Sequence, residues 1–290
     1  MTYPRILLAL SLERDPQGLL QRVVKLANRW SAVVDVVAVL PLDETLDLAA
    51  QEAHLAALKA AEFAALQRHM ASLSIHTGRC DLFCGQVAEE LIRRCNQRET
   101  SLLVLGQHGG DGHFWHPHLA SKIAARITCD LLVLDPERSY WPRQPLWLLA
   151  LPLDETAPML LEGAATLARE MGARLQLLHV VEPVEVAHSG LELEYAPEGW
   201  LADYQERAER QLAAWHLAYG DVVQGWQVVT GSVTHELSQL AEDPDLALLI
   251  LGRDERLLSF LVGSPMHGLL THGRGDLLIL SVPESYSASE

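Results

Sequence analysis

Apolar residues along this chain fall into two alternating rhythms. Short runs such as Leu246 to Leu251 and Leu277 to Val282 are rich in Leu and Ile and carry almost no polar residue. Continuous runs of this kind predict parallel strands buried on both faces. Between the runs lie stretches with an apolar residue every three or four positions. Leu201, Tyr204, Ala208, Leu212, Trp215 and Tyr219 form one such stripe, with Asp203, Glu206, Glu209 and Arg210 between them. That spacing predicts a helix with one buried and one wet face.

The rhythm is written twice. Residues 101–134 align without a gap on 247–280, so that Gly106 meets Gly252, Pro117 meets Gly263, His118 meets Ser264 and Asp130 meets Asp276. Near the start, Pro4 falls on Pro145 and Leu26-Ala27 on Leu167-Ala168. An internal repeat fixes the reading of the whole chain. In each copy a strand (5–10; 146–151) leads to a helix (17–30; 157–171), a strand (33–40; 174–181) and a long helix (47–73; 198–219). A third strand (76–83; 222–229), a short helix (86–97; 232–242) and a strand–loop–helix–strand unit follow. Strands alternating with helices predict an α/β fold, two tandem doubly wound, five-stranded parallel sheets. The domains are expected at 1–138 and 145–284, with a linker at 139–144 in a stretch carrying Pro136, Pro142 and Pro145. An unpaired apolar edge at 130–134 or 276–281 is an aggregation hazard. The two copies are therefore expected to pair through these strands, related by a pseudo-two-fold axis.

The last unit of each copy carries the candidate chemistry. Gly252 ends a strand and Gly263-Ser264 opens the next helix, a candidate phosphate cradle, because a helix N-terminus offers free N–H groups and positive potential. These residues, with the duplication, resemble the universal stress proteins, and the chain is most similar to their tandem, E-type members. Nucleotide-binding members of that family carry Gly-x2-Gly-x9-Gly-Ser/Thr here, and an Asp at the end of the first strand. The resemblance implies the fold of the adenine-nucleotide alpha hydrolases and a crevice for adenosine and phosphates. It carries nucleotide contacts onto Gly252, Gly263 and Ser264 of the second copy, and onto Gly106 and Gly109 of the first. This chain has Glu255 at the second glycine of the second loop, which is two residues short, and Pro117-His118 at the helix start of the first. Proline has no N–H to offer a phosphate. The first-strand Asp is replaced by Ser11 and Pro152, with Asp154 two residues beyond the latter as a substitute. Arg253 flanks the second loop. The crevice residues are thus Asp154, Gly252, Arg253, Gly263 and Ser264, and the alternative reading of the glycines is a structural role in the loops.

Two further stretches offer alternatives. His113, His116 and His118, near His108 and Asp111, are residue types that hold zinc, nickel or copper, or they form a solvated loop. The segment Glu182 to Trp200, with Leu191, Leu193, Tyr195 and Trp200, leaves the carboxyl end of a strand. It is either a lid over a small molecule or packing beneath a long loop. No Gly-x-Ser-x-Gly, His-Glu-x-x-His, Walker loop or Cys-x-x-Cys occurs. Arg274-Gly275-Asp276 spells an adhesion tripeptide and is read as chance.

Charge narrows the partners. Residues 1–140 hold 14 Lys+Arg against 16 Asp+Glu, a net of −2, and residues 141–290 hold 8 against 22, a net of −14. Such a surface repels phosphate backbones, so nucleic acid and anionic membranes are not expected partners. The apolar stretches fall short of the roughly 20 residues that span a bilayer, and Cys80, Cys84, Cys95 and Cys129 read as reduced thiols. A cytoplasmic protein is expected. The function predicted is a non-enzymatic stress-response binding and regulatory module with degenerate nucleotide loops. A small-molecule ligand in the second copy, an intramolecular domain pair and a homodimer are the partners considered. The alternatives are an ATP-binding protein with slow ATPase or phosphotransfer activity, binding ATP weakly, and a metal sensor built on the histidine loop.

Overall fold

The apolar runs become the strands of two units, Thr2–Tyr140 and Trp141–Glu290. A computed structural model of the chain describes residues 3–10, 17–40, 56, 64, 70–71, 75–84, 86–97, 99–106, 117–135, 138, 141–182, 199–241, 243–253 and 276–281.

In the first unit the elements are β1 (Arg5–Leu10), α1 (Gln17–Trp30), β2 (Val33–Leu40), β3 (His76–Cys84), α2 (Val87–Gln97), β4 (Leu102–Gly106), α3 (Pro117–Ala124) and β5 (Asp130–Leu134). Within the stretch 47–73, the described residues 56, 64, 70 and 71 are helical. The strand order is β3-β2-β1-β4-β5, and each neighbouring pair is parallel. Helix α1 buries Leu19, Leu20, Val23, Leu26 and Ala27, the three-and-four spacing of a core-facing stripe. Burying each Leu or Val contributes about 1.5–3 kcal/mol relative to exposure. Arg22 of the same helix is buried, and its Nη1 donates to the Asp135 carbonyl at 2.9 Å.

A charged residue sits within this sheet. Asp35 of β2 is 1% exposed, and its carboxylate accepts from Arg5 Nη1 at 2.9 Å and from the Arg79 N–H at 2.7 Å. The β2–β3 register shifts between Val34 and Val36 to make room for it. A Cβ on Gly78 would fall 2.1 Å from Asp35 Oδ1, so glycine is required there by close approach. Edge strand β3 is further tied to α2: Arg94 lies over the Phe83 ring at 3.3 Å and pairs with Asp81 and Glu90.

The second unit contains β6 (Leu146–Ala150), α4 (Ala157–Met171), β7 (Arg174–Val181), α5 (Trp200–Ala218), β8 (Val223–Thr230), α6 (Val233–Ala241), β9 (Leu246–Gly252) and β10 (Asp276–Leu280). Its order is β8-β7-β6-β9-β10, again parallel, so both units share one topology. Helix α4 buries Ala157, Leu160, Leu161, Ala164, Ala165, Leu167 and Ala168. It stops at Gly172, whose φ of 66° is the left-handed conformation glycine accepts without cost. Helix α5 is longer, yet only Ala208 and Leu212 are buried.

The aligned carboxylates at the start of each unit's last strand are both buried. Tyr3 donates its hydroxyl to Asp130 at 2.7 Å, and Trp141 donates its indole N–H to Asp276. Trp141, inside the stretch the sequence gives to the linker, is 7% exposed and meets Trp147 edge-on at 5.4 Å. Its indole has an apolar wall and a carboxylate acceptor, which is why it packs. The Asp of the adhesion-like tripeptide is thereby committed to the interior. Cys80, Cys95 and Cys129 are free thiols, and burial together with Asp81 pushes Cys80 up to about 11. Such a thiol stays protonated and inert.

Candidate functional site

Strand order reverses at the centre of each unit: β1 lies between β2 and β4, and β6 between β7 and β9. Connections leave to opposite faces at such a point, which opens a crevice beyond the carboxyl ends of the strands. In the second unit the crevice borders are the ends of β6 and β9. Ala150 lies opposite Leu251, and Leu280 opposite Gly252. The Arg253 N–H donates to the Leu280 carbonyl at 2.8 Å, which holds the first residue beyond β9 in the sheet direction.

Gly252 is filled in from behind. A Cβ built on it falls 2.4 Å from Leu160 Cδ1 of α4, so the helix packs directly on the bare α-carbon. Asp154 lies in the turn between β6 and α4. Its Oδ1 accepts from the Thr156 N–H at 2.8 Å and from Thr156 Oγ1 at 2.6 Å. This is an Asx-type turn that starts the helix. Glu182, where β7 ends, accepts from the Val233 N–H at 3.3 Å and so serves the first turn of α6.

Nothing in the spacing or the neighbours of His179 in β7 marks it in the sequence. It is 6% exposed, and its Nδ1 lies 2.9 Å from the Leu151 carbonyl, one residue beyond β6. A carbonyl only accepts, so Nδ1 carries the proton and Nε2 presents a lone pair. Nε2 is buried without a hydrogen-bond partner among the described residues. Burial holds the imidazole below its ordinary value, against the opposing pull of the Leu151 carbonyl. The Tyr204 ring of α5 is 6.0 Å away, and the Arg207 guanidinium lies 5.8 Å from that same ring.

Asp154, Gly252 and Arg253 thus stand at the carboxyl end of one sheet, while Gly263 and Ser264 lie outside the described residues. In the first unit Gly106 ends β4, buried and opposite Leu134. Pro117 and His118 open α3, and Gly109, His113 and His116 lie outside the described residues, as does 183–198 of the expected lid. Among the described residues no group of three His, Cys, Asp or Glu side chains is placed to hold a metal ion. Among them, too, no helix is long and apolar enough to cross a membrane.

The model of the universal stress protein family matches this chain twice, over residues 2–135 and 148–281. The chain belongs to the universal stress protein family. Its tandem architecture recurs in solved structures. A universal stress protein from Archaeoglobus fulgidus DSM 4304 is 11% identical, with a TM-score of 0.70 over 97% of each chain. A functionally unknown protein from Pseudomonas aeruginosa PAO1 is 13% identical, with a TM-score of 0.66 over 96% of this chain and 92% of its own. At these identities the likeness is one of fold. No curated protein matches the sequence. In this universal stress protein, what sequence reasoning missed at the crevice is His179 and Leu160. His179 sits in a continuous apolar run with no spacing signal, and the helical stripe that holds Leu160 marks it as core without naming Gly252 as its neighbour.

Proposed function

We propose that this tandem universal stress protein is a non-enzymatic binding and regulatory module of the stress response, acting in the cytoplasm. Its nucleotide loops are degenerate and its second unit is the ligand-binding one. The observation that carries this reading is the seating of Leu160 on Gly252. The glycine has a packing reason to exist that needs no phosphate. Two departures point the same way: Asp154 spends one carboxylate oxygen on Thr156, and Asp254 and Glu255 put negative charge in the loop. Carboxylates beside a triphosphate oppose binding unless metal or arginine compensates. With the acidic charge of residues 141–290, this favours a neutral, cationic or largely apolar ligand over a polyanion.

Titration calorimetry with Mg-ATP tests the reading. A dissociation constant weaker than about 100 μM, roughly −5.5 kcal/mol, is expected. Micromolar binding overturns it in favour of an ATP-binding protein with slow ATPase or phosphotransfer activity. In that event Ser264→Ala and Gly263→Val should abolish binding, and changes at Pro117 should leave it unchanged. Native mass spectrometry of the purified chain would show a retained organic ligand by its mass. A retained transition metal there would instead favour the sensor built on His113, His116 and His118.

A further inference from the structure

We propose that His179 is an acid-sensitive latch: neutral, it lets the first half of α5 lie against β7, and protonated, it releases that half-helix from the crevice mouth of the second unit. Three observations meet at this point. The Nδ1–H bond to Leu151 fixes the ring where β6 leaves the sheet, beside the crevice. The remaining nitrogen is buried, and no described group forms a hydrogen bond with it. The helix above it is lightly held: of α5's residues only Ala208 and Leu212 are buried, and its first half adds one exposed side-chain hydrogen bond to β8, from Gln205 Nε2 to Thr230 Oγ1. Its N-cap is Gly199, left-handed at φ 90°, with no side-chain hydrogen bond to the first turn.

A proton added to Nε2 creates a buried donor and a buried charge. Leaving such a group unpaired is costly, so the cation favours any arrangement that lets Nε2 reach water. The ionisable groups around the ring do not offset this. Helix α5 brings Asp203, Tyr204, Glu206 and Arg207; α6 brings His235 and Glu236, and Glu182 follows β7. The described structure bonds none of them to the imidazole. Glu182 is engaged by the Val233 N–H, and the Tyr204 ring is shared with Arg207, a cation that opposes a second one. On α4, Arg169 pairs with Asp221 and Glu162 accepts from Tyr219. Strands β6 and β8 carry no ionisable side chain. The light end of α5 is the part that can yield, because α4 and strands β6, β7 and β9 are more deeply buried.

The latch goes beyond the binding reading and needs no ligand, so the two fail separately. Amide exchange is followed on the full chain at about pH 5.5 and about pH 7.5, either side of the ordinary histidine value of about 6.5. Rates are corrected for intrinsic pH dependence. Expected is a severalfold loss of protection at the lower pH in 200–208 and 151–156, with β9 unchanged. His179→Asn keeps a donor for the Leu151 carbonyl and does not titrate, and in it the loss should vanish. Equal protection at both values, or a loss that persists in His179→Asn, overturns the proposal. Should that variant not fold, nitrogen-15 shifts of the wild-type imidazole decide. The Nδ1–H tautomer with a midpoint below the ordinary value supports the latch. The Nε2–H tautomer, or a midpoint at or above that value, overturns it.

Discussion

Gly252 and Leu160 show how one missing side chain can have more than one physical cause. From sequence, a glycine at a strand end before a loop suits a phosphate. In the fold, the same glycine admits Leu160 Cδ1. Gly252→Ala should therefore cost about 1–3 kcal/mol through overpacking, measured as a lower denaturant midpoint at unchanged slope. Wild-type stability in that variant would remove the packing account. His179 was illegible for a related reason: a histidine inside Leu-Leu-His-Val-Val reads as strand, and only the fold puts Leu151 beside Nδ1. Its burial has a thermodynamic sign. The folded protein holds the imidazole below the unfolded value of about 6.5, so the unfolded chain binds more protons between the two. His179 therefore supports folding fully above that unfolded value, and the support is lost as pH falls through it toward the folded value. Chemical unfolding across that window should show wild type losing stability faster than His179→Asn on acidification. Parallel curves would mean that other groups carry the pH dependence.

At the scale of elements, the apolar rhythm was nearly sufficient. Continuous runs such as Leu246 to Leu251 gave β9, and the Leu19-to-Ala27 stripe gave α1, because burial on both faces or on one leaves a direct mark on composition. What the rhythm does not encode is pairing chemistry between strands. Asp35 interrupts the apolar run of β2, and it is a buried carboxylate held by Arg5 and Arg79. The corresponding place in β7 is Gln176, opposite Gly225 of β8. A Cβ on Gly225 meets nothing within 4 Å, whereas one on Gly78 meets Asp35. The close approach that requires Gly78 is thus absent at Gly225. Gly78→Ala should destabilise the protein by at least about 1 kcal/mol, and Gly225→Ala should be neutral or slightly stabilising. Thermal unfolding of the two variants side by side checks this, and equal shifts would contradict it.

At the scale of the chain, duplication made the architecture legible, since two degraded copies of one pattern constrain each other where either alone is ambiguous. The crevice was legible only as topology, because the reversal beside β1 and β6 follows from strand order while its lining depends on side chains. The same topology carries a consequence for the halves. Within its own unit β5 has only β4 as a neighbour, and β10 only β9. Both are short and apolar, Asp-Leu-Leu-Val-Leu and Asp-Leu-Leu-Ile-Leu, with no charge beyond the first residue. An apolar strand with a free ladder of N–H and C=O groups recruits another strand, and lysine, proline or a bulge would blunt it. Neither strand has such a device. Residues 1–140 and 141–290, expressed separately, should each associate with themselves, and mixing them should yield a one-to-one complex in preference to either self-association. Sedimentation velocity distinguishes the outcomes: soluble monomers of either half, indifferent to the other, would mean that the ladder edge is not what joins chains of this kind. Charge adds a direction to the same experiment. The half with a net of −14 should repel its own copies more than the half with −2, so its self-association should weaken more as salt is lowered.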